Sequence, residues 1–182
     1  IMLFQKIAAH RRFINAFDPP LDLLEEIQER SQRYFESIRR NWNQIHETLF
    51  PRIYLEQIFT HLGGGNDKRV LDLGCGSGVV SARISAIGKS VTGVDINKGM
   101  LDELSLIRNG FGYRNLNLVR ANINRLPFGD VRFDEVFMTL VLHHVSDPKL
   151  LLREAIRLVE TNGHLVLVEF DRHTNRQLAD TM

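Results

Sequence analysis

The sequence predicts an α/β domain built on a parallel sheet, and three observations carry that expectation. The run Val70-Leu71-Asp72-Leu73 leads into a loop with glycine at every second position, Gly74, Gly76 and Gly78, after which the chain turns helical. From Arg69 onward, short apolar runs alternate with amphipathic stretches, the pattern of strands covered on both faces by helices. Asp95 then closes the next apolar run, Val91-Thr92-Gly93-Val94, twenty-one residues beyond Gly74. An acid at that strand tip can accept both hydroxyls of a ribose.

Composition sets the outer limits. The 182 residues suffice for one well-buried domain and an appendage. A quarter of them are charged, yet the net charge is only +1, so no overall field draws in nucleic acid or an anionic membrane. The single cysteine, Cys75, cannot form an internal disulfide, which fits a reducing cytoplasm. No apolar run approaches the roughly 20 residues needed to cross a bilayer. The opening Ile1-Met2-Leu3-Phe4-Gln5-Lys6 is a poor signal peptide, having no basic region ahead of an apolar one.

Taken in order, residues 1–17 are helix-prone and Asp18-Pro19-Pro20 breaks the pattern. Leu24, Ile27, Tyr34, Ile38, Trp42, Ile45 and Leu49 then recur at steps of three, four or seven. They predict a long amphipathic helix, or two in line, ending at Phe50 before Pro51. A short helix over 53–62 runs into Gly63-Gly64-Gly65. Residues 1–62 are therefore expected to form a helical N-terminal cap and linker, with 63–182 as the loop-bearing domain. Tyr34 and Trp42 sit at helical spacing and are read as packing rather than as a lid. Basic and acidic residues number eight each over 1–60, so this segment is no nucleic-acid arm; its helices offer a homodimer surface. Strands are expected near 69–74, 90–95, 116–120, 134–140 and 164–170, and helices near 77–88, 98–108 and 148–160.

The glycine spacing narrows the chemistry. A dinucleotide fingerprint places glycines at offsets 0, 2 and 5. Here they fall at 0, 2 and 4, and Val79 takes the next place, which disfavours a nicotinamide-dependent oxidoreductase. The turn needs positive φ and bare main chain for a ligand, and the following helix aims its free N–H groups at the same space.

On these residues the chain resembles a class I S-adenosylmethionine (SAM)-dependent methyltransferase. Residues 72–78 resemble that family's first motif and Asp95 its second. The likeness continues through Ala121-Asn122, Leu126-Pro127-Phe128, Phe133-Asp134 and Leu142-His143-His144 to Gly163, covering roughly residues 68–170. It is most similar to the small-molecule branch related to ubiquinone and menaquinone methyltransferases. The resemblance implies a Rossmann-like three-layer sandwich with a mostly parallel sheet of strand order 3-2-1-4-5, consistent with right-handed crossovers. The family's closing helix and C-terminal hairpin do not fit in the twelve residues past Phe170. A C-terminally truncated chain with an edge to cover is expected.

The resemblance also implies roles. SAM would give its methyl to a small-molecule acceptor and leave as S-adenosylhomocysteine, with alignment supplying most of the catalysis. Gly74, Cys75, Gly76 and Gly78 would contact the methionine portion, Asp72 would orient the loop, and Asp95 would hold the ribose. Asn122 stands where the family commonly has Asp and can still accept from the adenine amino group. Ile96 and Ile123 would sandwich the adenine or serve as core; Thr139 would flank the methyl. His144, beside His143, is the candidate base for an acceptor proton, the alternative being that the pair packs and bonds backbone. Asp171 and His173 lack a tight ligand spacing, so no metal is expected.

A second resemblance points elsewhere. Tyr34-Phe35, Trp42-Asn43 and Glu169-Phe170-Asp171-Arg172-His173 are similar to the methyltransferase half of proteins that open with an ArsR-type winged-helix repressor domain. On that alternative the domain senses SAM or another metabolite for a transcriptional regulator, without essential turnover.

Overall fold

The protein is seen in a computed structural model that describes residues 2–5, 33, 56, 58, 59, 62, 67–87, 89–123 and 125–169. Its elements run β1 (Met2–Gln5), β2 (Arg69–Leu73), α1 (Val79–Ala86), β3 (Ser90–Asp95), α2 (Lys98–Phe111) and β4 (Leu116–Arg120). They continue with β5 (Phe133–Thr139), a 3₁₀ turn (Leu142–His144), α3 (Pro148–Leu158) and β6 (Val159–Glu169). Apart from Arg33, the long helix expected over 21–50 lies outside the described residues, as do Asp171, His173 and the homodimer surface; so do Tyr34 and Trp42.

The strands pair in the order β1-β6-β5-β2-β3-β4. β2 to β6 are mutually parallel, and in chain order they give the expected 3-2-1-4-5. Period-two alternation divides the core between the sheet's faces. Val70, Val91, Phe137, Val166 and Val168 join Val80 and Ile84 of α1 and Leu101 and Leu104 of α2 in one cluster. Leu71, Leu73, Val94, Val136, Met138 and Leu167 join Leu151, Ala155 and Leu158 of α3 in the other. Ile58, from the helix expected over 53–62, is fully buried in the first cluster, and Phe59 and Leu62 pack against it.

One expectation is corrected. Residues 1–17 read as helix-prone, but Met2–Gln5 forms an extended strand antiparallel to β6, pairing Met2 with Glu169 and Gln5 with Val166. The open edge of β6 carries a row of unpaired N–H and C=O groups. Satisfying them outweighs the few tenths of a kcal/mol that distinguish helix propensities over so short a piece. That edge of β6 is thus covered by Met2–Gln5.

The helices over the sheet start by different means. Asn97 caps α2 through its side chain, accepting from the Met100 N–H at 3.2 Å. Asp147 does the same for α3, accepting from the Leu150 N–H at 2.9 Å ahead of Pro148. α1 begins at Gly78 with no side-chain cap, so its first N–H groups open on the glycine loop. Gly78 has φ +90°, and a Cβ there would lie 2.0 Å from Cδ1 of buried Leu104. Gly78→Ala is therefore expected to cost about 1–3 kcal/mol in urea unfolding, through backbone strain and overpacking together.

Candidate functional site

The loop after β2 is held from beneath by β3. The Val94 carbonyl accepts from the N–H groups of Gly74 (2.8 Å) and Cys75 (3.0 Å), and the Cys75 carbonyl from that of Gly78 (2.9 Å). Gly74, Gly76 and Gly78 have φ of 71°, 53° and 90°, the left-handed backbone expected of the turn. Two of the glycines also leave room for the protein's own side chains. A Cβ on Gly74 would lie 2.3 Å from Cγ2 of Val141, and one on Gly78 would strike Leu104. A side chain at either position would thus meet both a left-handed backbone and a packed neighbour.

Asp95 turns toward the loop. Its Oδ2 accepts from the Gly76 N–H and its Oδ1 from the Asn97 N–H, both at 2.8 Å. Burial raises its pKa above the ordinary 3.8, opposed by the N–H bonds from Asn97 and Gly76. Asp72, on β2, is 2% exposed and accepts from the Ser81 hydroxyl at 2.6 Å, tying the strand to α1. Its pKa is pushed up to about 6, first by burial and further by the Asp95 charge, against the bond from Ser81. Among the described residues no cationic side chain pairs with either carboxylate. Cys75 is buried between them, and burial holds its thiol well above the usual range, so it remains a small protonated packing group.

Around this centre the other predicted residues take their places. The Ala121 N–H donates to the Asp95 carbonyl at 3.1 Å, bringing Asn122 and Ile123 next to the β3 tip. Ile123 packs against the second core cluster, and the Ile96 carbonyl accepts from Nε of Arg120 at 3.1 Å. Thr139 ends β5 with its Oγ1 buried and without a hydrogen bond among the described residues. Leu140, next in line, has φ 57°, a left-handed conformation uncommon for a residue with a bulky side chain.

The histidines divide in character. His144 packs its ring against that of His143, with centroids 3.9 Å apart. Burial, and then the neighbouring His143, push its pKa down from 6.5 to about 3, so it stays neutral and is a feeble proton acceptor. Folded His144 binds a proton less readily than it does unfolded, so its contribution to stability is complete above pH 6.5 and is lost as pH falls toward 3. His144→Gln should flatten that acid limb in pH-dependent urea unfolding. His143 instead places Nδ1 2.7 Å from Oε1 of Glu169, whose Oε2 accepts from the Leu142 N–H at 2.8 Å. Sequence reasoning singled out His143 only as half of a pair and gave Glu169 no role; an acid closing the apolar run Val166-Leu167-Val168 was the available signal.

Among the described residues no group of His, Cys, Asp or Glu could hold a metal ion, and no helix is long and apolar enough to cross a membrane. The profile of the Methyltransferase domain family matches residues 71–167. The chain is 30% identical over 148 residues to a demethylmenaquinone methyltransferase of Mycobacterium sp. strain KMS, covering 80% of this chain and 61% of that protein. It is 35% identical over 152 residues to the ubiquinone/menaquinone biosynthesis C-methyltransferase UbiE of Pectobacterium atrosepticum, with the same two coverages. It thus spans about three-fifths of the length of these curated relatives. Among solved structures, the YcgJ protein of Bacillus subtilis superposes with a TM-score of 0.62 at 27% identity, over 69% of this chain and 54% of that one. The parallel sheet of order 3-2-1-4-5 agrees with these matches: the chain belongs to the class I SAM-dependent methyltransferases.

Proposed function

We propose that the chain binds SAM over the β2–α1 loop and directs its methyl group to a small-molecule acceptor. The observation that carries this reading is the pair of carboxylates, Asp72 and Asp95, converging on one loop without a cationic partner among the described residues. Both are held above their ordinary pKa by burial, and the Asp95 charge adds to the effect on Asp72. A ligand bearing a sulfonium and an ammonium group fits that excess of negative charge. Oγ1 of Thr139, without a hydrogen bond among the described residues, agrees with it, being a buried polar atom that a ligand group could satisfy.

SAM, when bound, supplies an electrophilic methyl group on a sulfonium centre. Each oxygen of Asp95 already accepts one N–H and retains a further acceptor site for a ribose hydroxyl. Asp72 holds the start of α1 through Ser81 and contributes negative charge beneath the loop. The main chain of Gly74, Cys75, Gly76 and Gly78 receives the methionine portion, and Asn122 with Ile96 and Ile123 the adenine. Thr139 and the strained Leu140 shape the wall around the methyl group, where excluding water protects the transfer. With a net charge of +1 the acceptor is a small molecule rather than nucleic acid. The lone, buried Cys75 suits a cytoplasmic setting.

Isothermal calorimetry with SAM and with S-adenosylhomocysteine tests the reading. One molecule of either should bind per chain. Binding of neither rules the reading out, and binding of SAM without turnover over a wide set of small acceptors would favour a sensor instead.

A further inference from the structure

We propose that binding of the cationic cofactor is coupled to the release of a proton from Asp72, so that occupancy of the glycine loop depends on pH. This rests on the SAM-binding reading and adds the regulation of the same site. Two carboxylates lie under one loop, and their hydrogen bonds divide them into a fixed charge and a movable one. Each oxygen of Asp95 accepts from a main-chain N–H, Oδ2 from Gly76 and Oδ1 from Asn97, both at 2.8 Å. A main-chain N–H can only donate, so a proton on either oxygen would compete with a bond already made.

Asp72 is held differently. Its Oδ2 lies 2.6 Å from the Ser81 hydroxyl. A hydroxyl can donate to a carboxylate or accept from a carboxylic acid, so that bond survives in either protonation state. Of the two acids, Asp72 is therefore the one that can take up a proton without losing a partner.

The surroundings decide which form the empty site prefers. From the tip of β3, Asp95 adds its negative charge, and from the loop Cys75 adds a thiol that burial keeps protonated. α1 contributes the Ser81 hydroxyl, and Phe137 of β5 stands opposite Asp72 in the sheet register. Glu135, on the same face of β5, stands opposite Val70 and further from the loop. At 2% exposure Asp72 has no water shell to spread its charge, and among the described residues no cation takes the place of one. Burial first, and the Asp95 charge in addition, push its pKa up to about 6 against the Ser81 bond.

A cationic ligand on the loop reverses that balance. Its positive charge offsets the repulsion between the two carboxylates. The Asp72 O–H bond then breaks, the electron pair stays on the carboxylate and the proton passes to solvent. A group protonated in the empty site and ionised in the occupied one weakens binding wherever it must first give up its proton. The sign follows: affinity is complete above about pH 6 and declines as pH drops below it, toward tenfold per pH unit.

Isothermal calorimetry of the full chain with SAM, repeated in buffers of different ionisation enthalpy, counts the protons exchanged. The ligand's own α-amino and α-carboxyl groups titrate near about 8 and about 3.5, so a proton released between those values comes from the protein. The wild type should release about half a proton per SAM at pH 6, nearly one at pH 5 and almost none at pH 7. Its affinity should be roughly tenfold weaker at pH 5 than at pH 7. In Asp72→Asn the release should vanish and the affinity should stay level over the same range. Ser81→Ala gives an independent arm: the bond that favours the carboxylate is lost, so release should begin at a higher pH. Binding without proton release at pH 5 to 6, release undiminished in Asp72→Asn, or a profile unmoved in Ser81→Ala overturns the proposal. A wild-type chain that binds no SAM sinks the cofactor reading and this one with it, whereas SAM binding without proton exchange sinks only this one.

Discussion

Asp95→Ala is expected to lower SAM affinity about a hundredfold or more, the largest loss among single substitutions at this site. Two ribose hydroxyls donating to one carboxylate are charge-assisted hydrogen bonds, each worth about 1.5–3 kcal/mol. Losing both, at 1.4 kcal/mol per tenfold, gives at least that loss. A second contribution has the same sign. Asp95 binds the Gly76 N–H from the loop and the Asn97 N–H from the entry to α2, so its removal unties the loop from the next strand. Calorimetry measures the effect directly, and circular dichroism of the variant separates it from unfolding. Affinity within a factor of about two of the wild type would mean that the ribose lies elsewhere, an energy difference too small for even one lost hydrogen bond.

How much of this was legible in the sequence depends on the range of the interaction concerned. The loop and the acid at the β3 tip could be read because each is set by local rules, positive φ at glycines and an acid ending an apolar run, whereas the strand order came from the family resemblance together with right-handed crossovers. Why Gly74 and Gly78 lack a Cβ could not be read. The side chains they accommodate, Val141 and Leu104, reach them only after the sheet and helices have packed. β1 was misread for a related reason. Its four residues are too few for propensity to decide, and their partner, β6, is the most distant described strand in the sequence. His143 and Glu169 were each visible, but their pairing depends on the register of β5 with β6 and on the turn at Leu142. His144 looked like the better base until its burial was known; desolvation took away the charge that a sequence assigns to it by default.

Asp72→Asn should make the ligand-free protein more stable at pH 7.5 while weakening SAM binding, two effects of opposite sign from one charge. The folded protein holds the Asp72 proton up to about pH 6, against an ordinary 3.8. Below 3.8 the carboxyl is protonated whether folded or not and imposes no cost. Between 3.8 and 6 the folded state binds more protons than the unfolded one, so stability falls as pH rises through that window. Above it the full penalty applies, on the order of 3 kcal/mol for a shift of this size. Asn keeps an oxygen to accept from Ser81 and carries no charge to desolvate or to oppose Asp95. Urea unfolding of both proteins should therefore show little difference near pH 4 and a gap opening in favour of Asp72→Asn by pH 7. A constant gap across that range would mean that Asp72 is ionised at an ordinary pKa and that the fold tolerates its charge without SAM. A gap that closes when SAM is added would identify the cofactor's positive charge as what the buried carboxylate is kept for, a functional charge retained at the expense of the empty fold.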